Sequence, residues 1–282
     1  MHAPEPDAGL VARLRAAGCV FAEEEASLLE AAVAESQPAD AATDLEHLVA
    51  RRVAGEPLEQ LLGWAEFGGR RILLEPGVFV PRRRTELLAK AATELARAVA
   101  ASGRVPVVVD LCCGAGAIGA VVADAAGPVD LVAADVDPAA VLAARRNLEP
   151  RGARVFEGDL FAALPGDLMG GVDVLAVNAP YVPTAEIAMM PPEARDHEAR
   201  IALDGGGDGL DVHRRVAASA ARWLAPGGCL LIETSRGQSG TTLSLVEAGG
   251  LLGRIEVDDE RGGTIVIGAR AGSAAPRHPT SA

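Results

Sequence analysis

From Val105 onward the chain alternates short, almost continuously apolar runs with helix-forming segments, and this pattern restricts the possible folds more than any other feature. VPVVVDL, VDLVAADV, ARVFEGD, VDVLAVN and GGCLLIETS read as strands; AIGAVVADAA, PAAVLAARRNL and a helix from Leu210 to Leu224 lie between them. Strands that are apolar on both faces are buried on both faces. The expectation is a doubly wound α/β domain, a parallel sheet covered by helices. The closing stretch LGRIEVDDERGGTIVIGAR adds two strands around Arg261-Gly262-Gly263, an antiparallel pair that finishes the sheet.

Upstream, three apolar sets recur at helical spacing: Leu10, Leu14 and Ala17; Ala26, Leu29 and Val33; Leu45, Leu48, Val49 and Val53. Asp40 and Thr43 are candidate N-caps for the third. A small helical bundle ending at Gly55 is expected. Gly68-Gly69 then separates two β-prone runs, as a hairpin turn does, and a helix follows from Arg84 to Ala100. The domain boundary falls between residues 80 and 104. Residues 1–80 are assigned to a helical recognition domain with a hairpin linker, 81–270 to the α/β domain, and 271–282, of loop composition, to a disordered tail.

Composition removes several classes of function. Of 282 residues 39 are acidic and 26 basic, a net charge of −13, and both halves are negative. A broad grip on phosphate backbones is disfavoured, so direct nucleic-acid binding is not expected. Cys19, Cys112, Cys113 and Cys229 lack the spacing of a metal or redox site, and no metal is expected. Neither a secretory leader nor an apolar run of membrane-spanning length is visible, which suggests a cytoplasmic protein without a membrane anchor.

Four motifs sit at successive strand ends. In VVVDLCCGAGAIGAVVA, a buried strand delivers Asp110 to a tight turn at Gly114 and Gly116, where open α/β sheets bind nucleotide-type ligands. Gly119 completes G-x-G-x-x-G, which keeps an NAD-dependent oxidoreductase in view. In VDLVAADVDPAA, Asp135 ends the next strand and can accept from the ribose hydroxyls of an adenosine ligand, while Asp137-Pro138 opens a helix as its N-cap. In EGDLF, Asp159 can meet an adenine amino group while Leu160 or Phe161 covers the ring. In VDVLAVNAPYVP, the Asn178 carboxamide and the carbonyl of residue 179 can each accept one hydrogen of a planar NH₂ group. Tyr181 offers that group, and a nearby sulfonium, an aromatic face. Glycines that merely permit close packing, and an ordinary Asn-Pro turn, are the competing structural readings.

Taken together, GEPLEQLLGWAEFGGRRILLEPGVFVPRRRTELL, DLCCGAG, AADVDPAA, GDLF, NAPYVP and ALDGGGDGLDVHRR resemble the protein-(glutamine-N5) methyltransferases that modify peptide chain release factors, the HemK/PrmC family. The likeness covers roughly residues 45 to 270. It implies a class I, Rossmann-like methyltransferase fold with a small N-terminal helical domain, and S-adenosylmethionine as cofactor. By that resemblance Gly114 and Gly116 serve the methionine end of the cofactor, Asp135 its ribose, and Asp159 with Leu160 its adenine, and Asp110 is counted among the cofactor-binding residues. Asn178, Ala179, Pro180 and Tyr181 match the N-P-P-Y signature that holds the glutamine side chain, and Asn178 also borders the cofactor. The implied substrate is a protein, a peptide chain release factor.

Two departures bear on the substrate. Ala179 replaces the first proline of the signature, which keeps a carbonyl but loses the fixed φ. In VPRRRTE, Arg83 and Arg84 replace a proline and an acidic residue of the family pattern I-P-R-P-E-T-E. A divergent paralogue acting on another amide is compatible with both. Arg82, Arg83 and Arg84, with Arg70 and Arg71, form either a docking face for an acidic partner or a solvated surface. Rival readings are an amino-directed DNA or RNA methyltransferase and a noncatalytic cofactor-binding paralogue. His197 and His213 are assigned to the surface or to loop anchoring, not to catalysis. Residues 183–209 form a long connection suited to a lid, with Gly205, Gly206, Gly207 and Gly209 as its hinge.

Overall fold

The structure, a computed structural model, describes residues 6–36 and 41–272. Asp40 and nearly all of the 271–282 tail lie outside the described residues. Four helices come first: α1 (Ala8–Ala16), α2 (Ala22–Ser36), α3 (Ala41–Val53) and α4 (Leu58–Leu62). Asp7 caps α1 by accepting from the Leu10 N–H at 2.8 Å. Thr43 falls inside α3 rather than before it. Leu10, Leu14, Leu29 and Val49 are buried together in a core that belongs to these helices alone.

Strands β1 (Trp64–Phe67) and β2 (Arg70–Leu73) form the expected hairpin, paired so that Phe67 faces Arg70 across the two glycines. Gly68 and Gly69 have φ of +56° and +74°, the two left-handed positions of a type I′ turn. Ala65, Phe67 and Ile72 pack into the core beneath the large sheet, not into the helical core. Packing therefore divides the chain near Gly63, and the hairpin assigned above to residues 1–80 goes with the α/β body. Helix α5 (Glu86–Ala100) joins it there, burying Leu87, Leu88, Ala91, Ala92 and Ala96 along one stripe.

The remaining elements alternate as expected: β3 (Val107–Leu111), α6 (Ala117–Ala125), β4 (Asp130–Asp135), α7 (Pro138–Leu148), β5 (Arg154–Glu157), β6 (Val172–Val177), α8 (Pro192–His197), α9 (Asp211–Trp223), β7 (Leu224–Glu233), α10 (Ser239–Ala248), β8 (Leu252–Asp258) and β9 (Gly263–Ala269). The sheet order is β5-β4-β3-β6-β7-β9-β8. The first five strands of that order are mutually parallel, and β9 runs antiparallel to both β7 and β8. Every residue of β6 is buried, Asp173 included, whose carboxylate pairs with Arg104 and accepts from the Val107 N–H at 3.0 Å. The chain leaves β3 outward through β4 and β5, then returns to β6 on the other side of β3. The carboxyl ends of β3 and β6 thus flank the topological switch point, where a doubly wound sheet opens a crevice.

Candidate active site

A cavity of about 450 Å³ occupies that crevice. Its floor is the turn after β3. Gly114 and Gly116 adopt φ of +53° and +78°, and a Cβ on Gly116 would stand 2.7 Å from Cδ1 of the fully buried Leu148. Only glycine fits there. Asp135, at the end of β4, holds this turn in place: Oδ2 accepts from the Gly114 N–H at 2.8 Å and Oδ1 from the Asp137 N–H at 3.0 Å. Burial raises its carboxyl above the usual carboxylate range, with those backbone donors opposing. Asp137 in turn caps α7 through the Ala139 N–H, and Pro138 takes the first helical position.

Asp110 departs from the sequence assignment. It is fully buried, accepts from the Gly119 N–H at 2.9 Å, and is absent from the cavity wall. It braces the turn from beneath rather than reaching a ligand. With no other donor among the described residues, burial lifts its carboxyl to about 7. Gly114, Gly116 and Asp135 do line or shape the cavity, as do Asp159, Leu160 and all four residues of Asn178–Tyr181.

At the far wall Asp159 is engaged by Arg215, an ion pair that the sequence did not reveal. Leu160 covers this end, whereas Phe161 turns away to stack on Trp223 at 5.5 Å. Leu160 and Cys112 have φ of +49° and +56°, the two positive-φ non-glycine residues among those described, and both line the cavity. Such left-handed residues carry backbone strain of about 1–2 kcal/mol, which gathers at functional sites.

Across the cavity the chain leaves β6 as Asn178-Ala179-Pro180-Tyr181. The Asn178 carboxamide has no hydrogen-bond partner among the described residues although it is half-buried, and Ala179 beside it is buried. Tyr181 is fixed at three points. Its hydroxyl donates to Oε1 of Glu233 at 3.1 Å, its carbonyl accepts from Gln238 Nε2 at 2.9 Å, and the guanidinium carbon of Arg84 stands 5.8 Å from its ring centroid. Glu233 ends β7 with 2% of its side chain exposed. Burial raises its carboxyl, opposed by Thr85, Arg84 and Tyr181. Burial and the neighbouring Glu233 likewise push the Tyr181 phenol up, so it stays a donor. Neither Glu233 nor Gln238 was picked out from the sequence, although ETSRGQ presents a carboxylate at a strand end as the other motifs do.

The arginine cluster is not a continuous basic face. Arg70 pairs with Asp124, Arg71 with Glu35, Arg82 with the buried Glu198, and Arg84 with Glu233. Residues 183–209 also differ from a hinged loop. Ala199 N–H donates to the Gly77 carbonyl, Glu198 accepts from the Val80 N–H, and Arg52 of α3 pairs with Glu193 of α8. A Cβ would stand 2.3 Å from the Gly209 carbonyl at Gly205, 1.9 Å from Asp211 at Gly206 and 2.4 Å from the Tyr181 carbonyl at Gly209. These three glycines allow close packing, not hinge freedom. His213 is not on the surface: it is fully buried with Nδ1 3.2 Å from the Thr242 hydroxyl.

Residues 70–210 match the methyltransferase small domain family. The release factor glutamine methyltransferase of Geobacter sulfurreducens is 39% identical over 227 residues, spanning 80% of this chain and 77% of that protein. A 4-amino-L-phenylalanine/4-methylamino-L-phenylalanine methyltransferase of Streptomyces pristinaespiralis is 38% identical over 72% of this chain and 70% of that one. Among solved structures, a methyltransferase from Pyrococcus furiosus superposes with a TM-score of 0.52 over 79% of this chain and 97% of its own, at 16% identity, which speaks for the fold. Sequence and architecture agree on a class I methyltransferase, and the chain belongs to the methyltransferase small domain family that includes the release factor glutamine methyltransferases.

Proposed function

We propose that this protein methylates the side-chain amide nitrogen (N5) of a glutamine in a partner protein, a peptide chain release factor. The observation that carries this reading is the unpartnered Asn178 carboxamide beside Ala179, at the end of β6, on the wall of the same cavity as the glycine turn. The two relatives named above act on different acceptors by name, a glutamine amide and an arylamine. Both present a flat, conjugated NH₂, the shape that a pair of carbonyl oxygens suits.

The methyl donor is S-adenosylmethionine, which when bound supplies an electrophilic methyl on a sulfonium. The site fits that cofactor: a turn that accepts no Cβ at Gly116, a strand-end carboxylate at Asp135, and an apolar cover at Leu160. The chain's own residues do the rest. Asn178 Oδ1 and the Ala179 carbonyl accept the two amide hydrogens and orient the nitrogen. An amide lone pair is delocalised and weakly nucleophilic, so alignment is the main contribution, worth up to about 7–11 kcal/mol in favourable cases. The same two acceptors stabilise positive charge as it develops on nitrogen, and the N–H that becomes strongly acidic as the N–C bond forms gives up its proton along one of these hydrogen bonds, from which it passes to solvent when the site opens. Tyr181, held by Glu233 and Gln238, walls the acceptor and keeps water from the reacting atoms.

In this reading the helices of residues 8–62 serve acceptor recognition, and the enzyme works in the cytoplasm, where release factors act. The test is incubation with radiolabelled S-adenosylmethionine and a release factor, followed by mass spectrometry of the labelled peptide. Label on a glutamine is expected. Asn178→Ala is expected to bind cofactor within a few-fold of wild type and to lose at least two orders of magnitude in kcat/KM. Full activity in that variant would remove the clamp from the mechanism.

A further inference from the structure

The cavity carries a cation that methyl transfer to a neutral amide does not require. Arg84 stands on its wall next to Tyr181, with 45% of its side chain exposed. Its engagement is loose: Nε–H donates to Oε1 of Glu233 at 3.4 Å, and that oxygen already accepts from the Tyr181 hydroxyl at 3.1 Å. Guanidinium has five N–H donors in a planar fork. The other interaction of Arg84 is with Tyr181, over whose ring the guanidinium stands, and nearly half of the side chain is exposed on the cavity wall. The remaining arginines on this wall are occupied, Arg82 by Glu198 and Arg215 by Asp159.

Resting on the amide-methylation reading, we propose that Arg84 is a specificity-determining residue that reads a carboxylate carried by the acceptor, within one arginine side chain of the reacting nitrogen. A planar fork matches a carboxylate bidentately. Its place over the Tyr181 ring on a cavity wall leaves that contact less screened by salt than one in open solvent. The same charge disfavours acceptors that present a lysine or arginine at this point. The carboxylate has two chemical sources, an acidic residue flanking the methylated glutamine or the α-carboxylate of a free amino acid.

The experiment measures acceptor binding and turnover on the full chain with two matched pairs. The first is the pentapeptide Gly-Gly-Gln-Glu-Gly against Gly-Gly-Gln-Gln-Gly, both capped at each end. The second is L-glutamine against L-glutaminamide. Calorimetry with S-adenosylhomocysteine present gives affinity, and radiolabel transfer gives kcat/KM. A preference of at least tenfold for the carboxylate member is expected in one pair, and the responsive pair identifies the source. Arg84→Met should bring that ratio to within twofold of one, Arg84→Lys should keep part of it, and Arg84→Glu should reverse it. Equal affinity within both pairs, failure of all four acceptors to bind, or a ratio unchanged in Arg84→Met overturns the inference. Carboxylate-dependent binding without label transfer would instead count against amide methylation and leave Arg84 as an anion reader.

Discussion

The hydroxyl of Tyr181 donates to Oε1 of Glu233 at 3.1 Å, which ties the last residue of the clamp after β6 to the buried end of β7. The bond spans two adjacent strands, so the ring is positioned by the sheet itself. Glu233→Ala leaves the Tyr181 hydroxyl and the Arg84 guanidinium without their shared acceptor, a loss of about 1–3 kcal/mol. The expected result is a fall in kcat with little change in cofactor affinity. Tyr181→Phe should have a similar effect. Because both changes break one bond, the double variant should be no worse than the poorer single one. Effects that simply add would show that the two residues act separately.

The glycine turn makes two distinguishable predictions. Gly116→Ala meets both a left-handed φ and Leu148 at 2.7 Å, so stability and cofactor affinity should fall together. Gly114→Ala also has a left-handed φ, but its Cβ meets no atom within 4 Å. It should cost about 1–2 kcal/mol of backbone strain and act mainly by intruding on the cofactor. Denaturant unfolding paired with calorimetric titration of S-adenosylhomocysteine separates the two. Equal destabilisation by both variants would contradict the Leu148 contact.

Two buried groups titrate with opposite sign. Burial lifts Asp110 from an ordinary 3.8 to about 7, so the stability from its native-state proton is whole below pH 3.8 and is lost as pH rises through 7. Burial, with Arg214 adding to it, depresses His213 from 6.5 to about 4. Its contribution is whole above pH 6.5 and is lost as pH falls toward 4. Each slope reaches at most about 1.4 kcal/mol per pH unit, and between pH 4 and 6.5 the two cancel. Relative to wild type, Asp110→Asn should therefore grow more stable as pH rises through this window, and His213→Leu less stable. Urea midpoints from pH 4 to 7 measure both, and difference curves of the same sign would refute the assignment.

The sequence made the sheet legible because β6 and its neighbours are apolar on both faces, a period that no amphipathic helix shares. Gly68-Gly69 and Asp137-Pro138 were equally readable, since a turn and a cap depend on local chemistry alone. What stayed hidden depended on partners far along the chain. Arg84 and Glu233 are 149 residues apart, and nothing local marks their pairing. Gly205, Gly206 and Gly209 look like hinge residues in sequence, but their tight contacts, with Gly209, Asp211 and Tyr181 respectively, exist only in the fold. Asp110 and Asp135 both come near strand ends in the sequence, yet Asp110 pairs with Ala133, two residues short of Asp135, so one lies under the turn and the other borders the cavity. That offset appears only once β3 and β4 are paired.

Arg52 joins the helical unit to the cavity wall. With 11% of its side chain exposed, it donates from Nε to Glu25 of α2 at 2.7 Å and from a terminal nitrogen to Glu193 of α8 at 2.7 Å. Glu193 itself lines the cavity. Arg52→Ala strands the Glu25 carboxylate, also 11% exposed, and should destabilise the α1–α4 core by about 3–5 kcal/mol, the usual result of halving a buried pair. Removing both partners of such a pair is far milder, so the Glu25→Gln, Arg52→Met double variant should recover most of that stability. It still lacks the tether to Glu193. Its KM for the acceptor should therefore remain raised several-fold while cofactor affinity stays at the wild-type value. Thermal unfolding followed alongside steady-state kinetics reads both quantities, and a double variant that regains stability and acceptor KM together would show that Arg52 supports the helices without shaping the site.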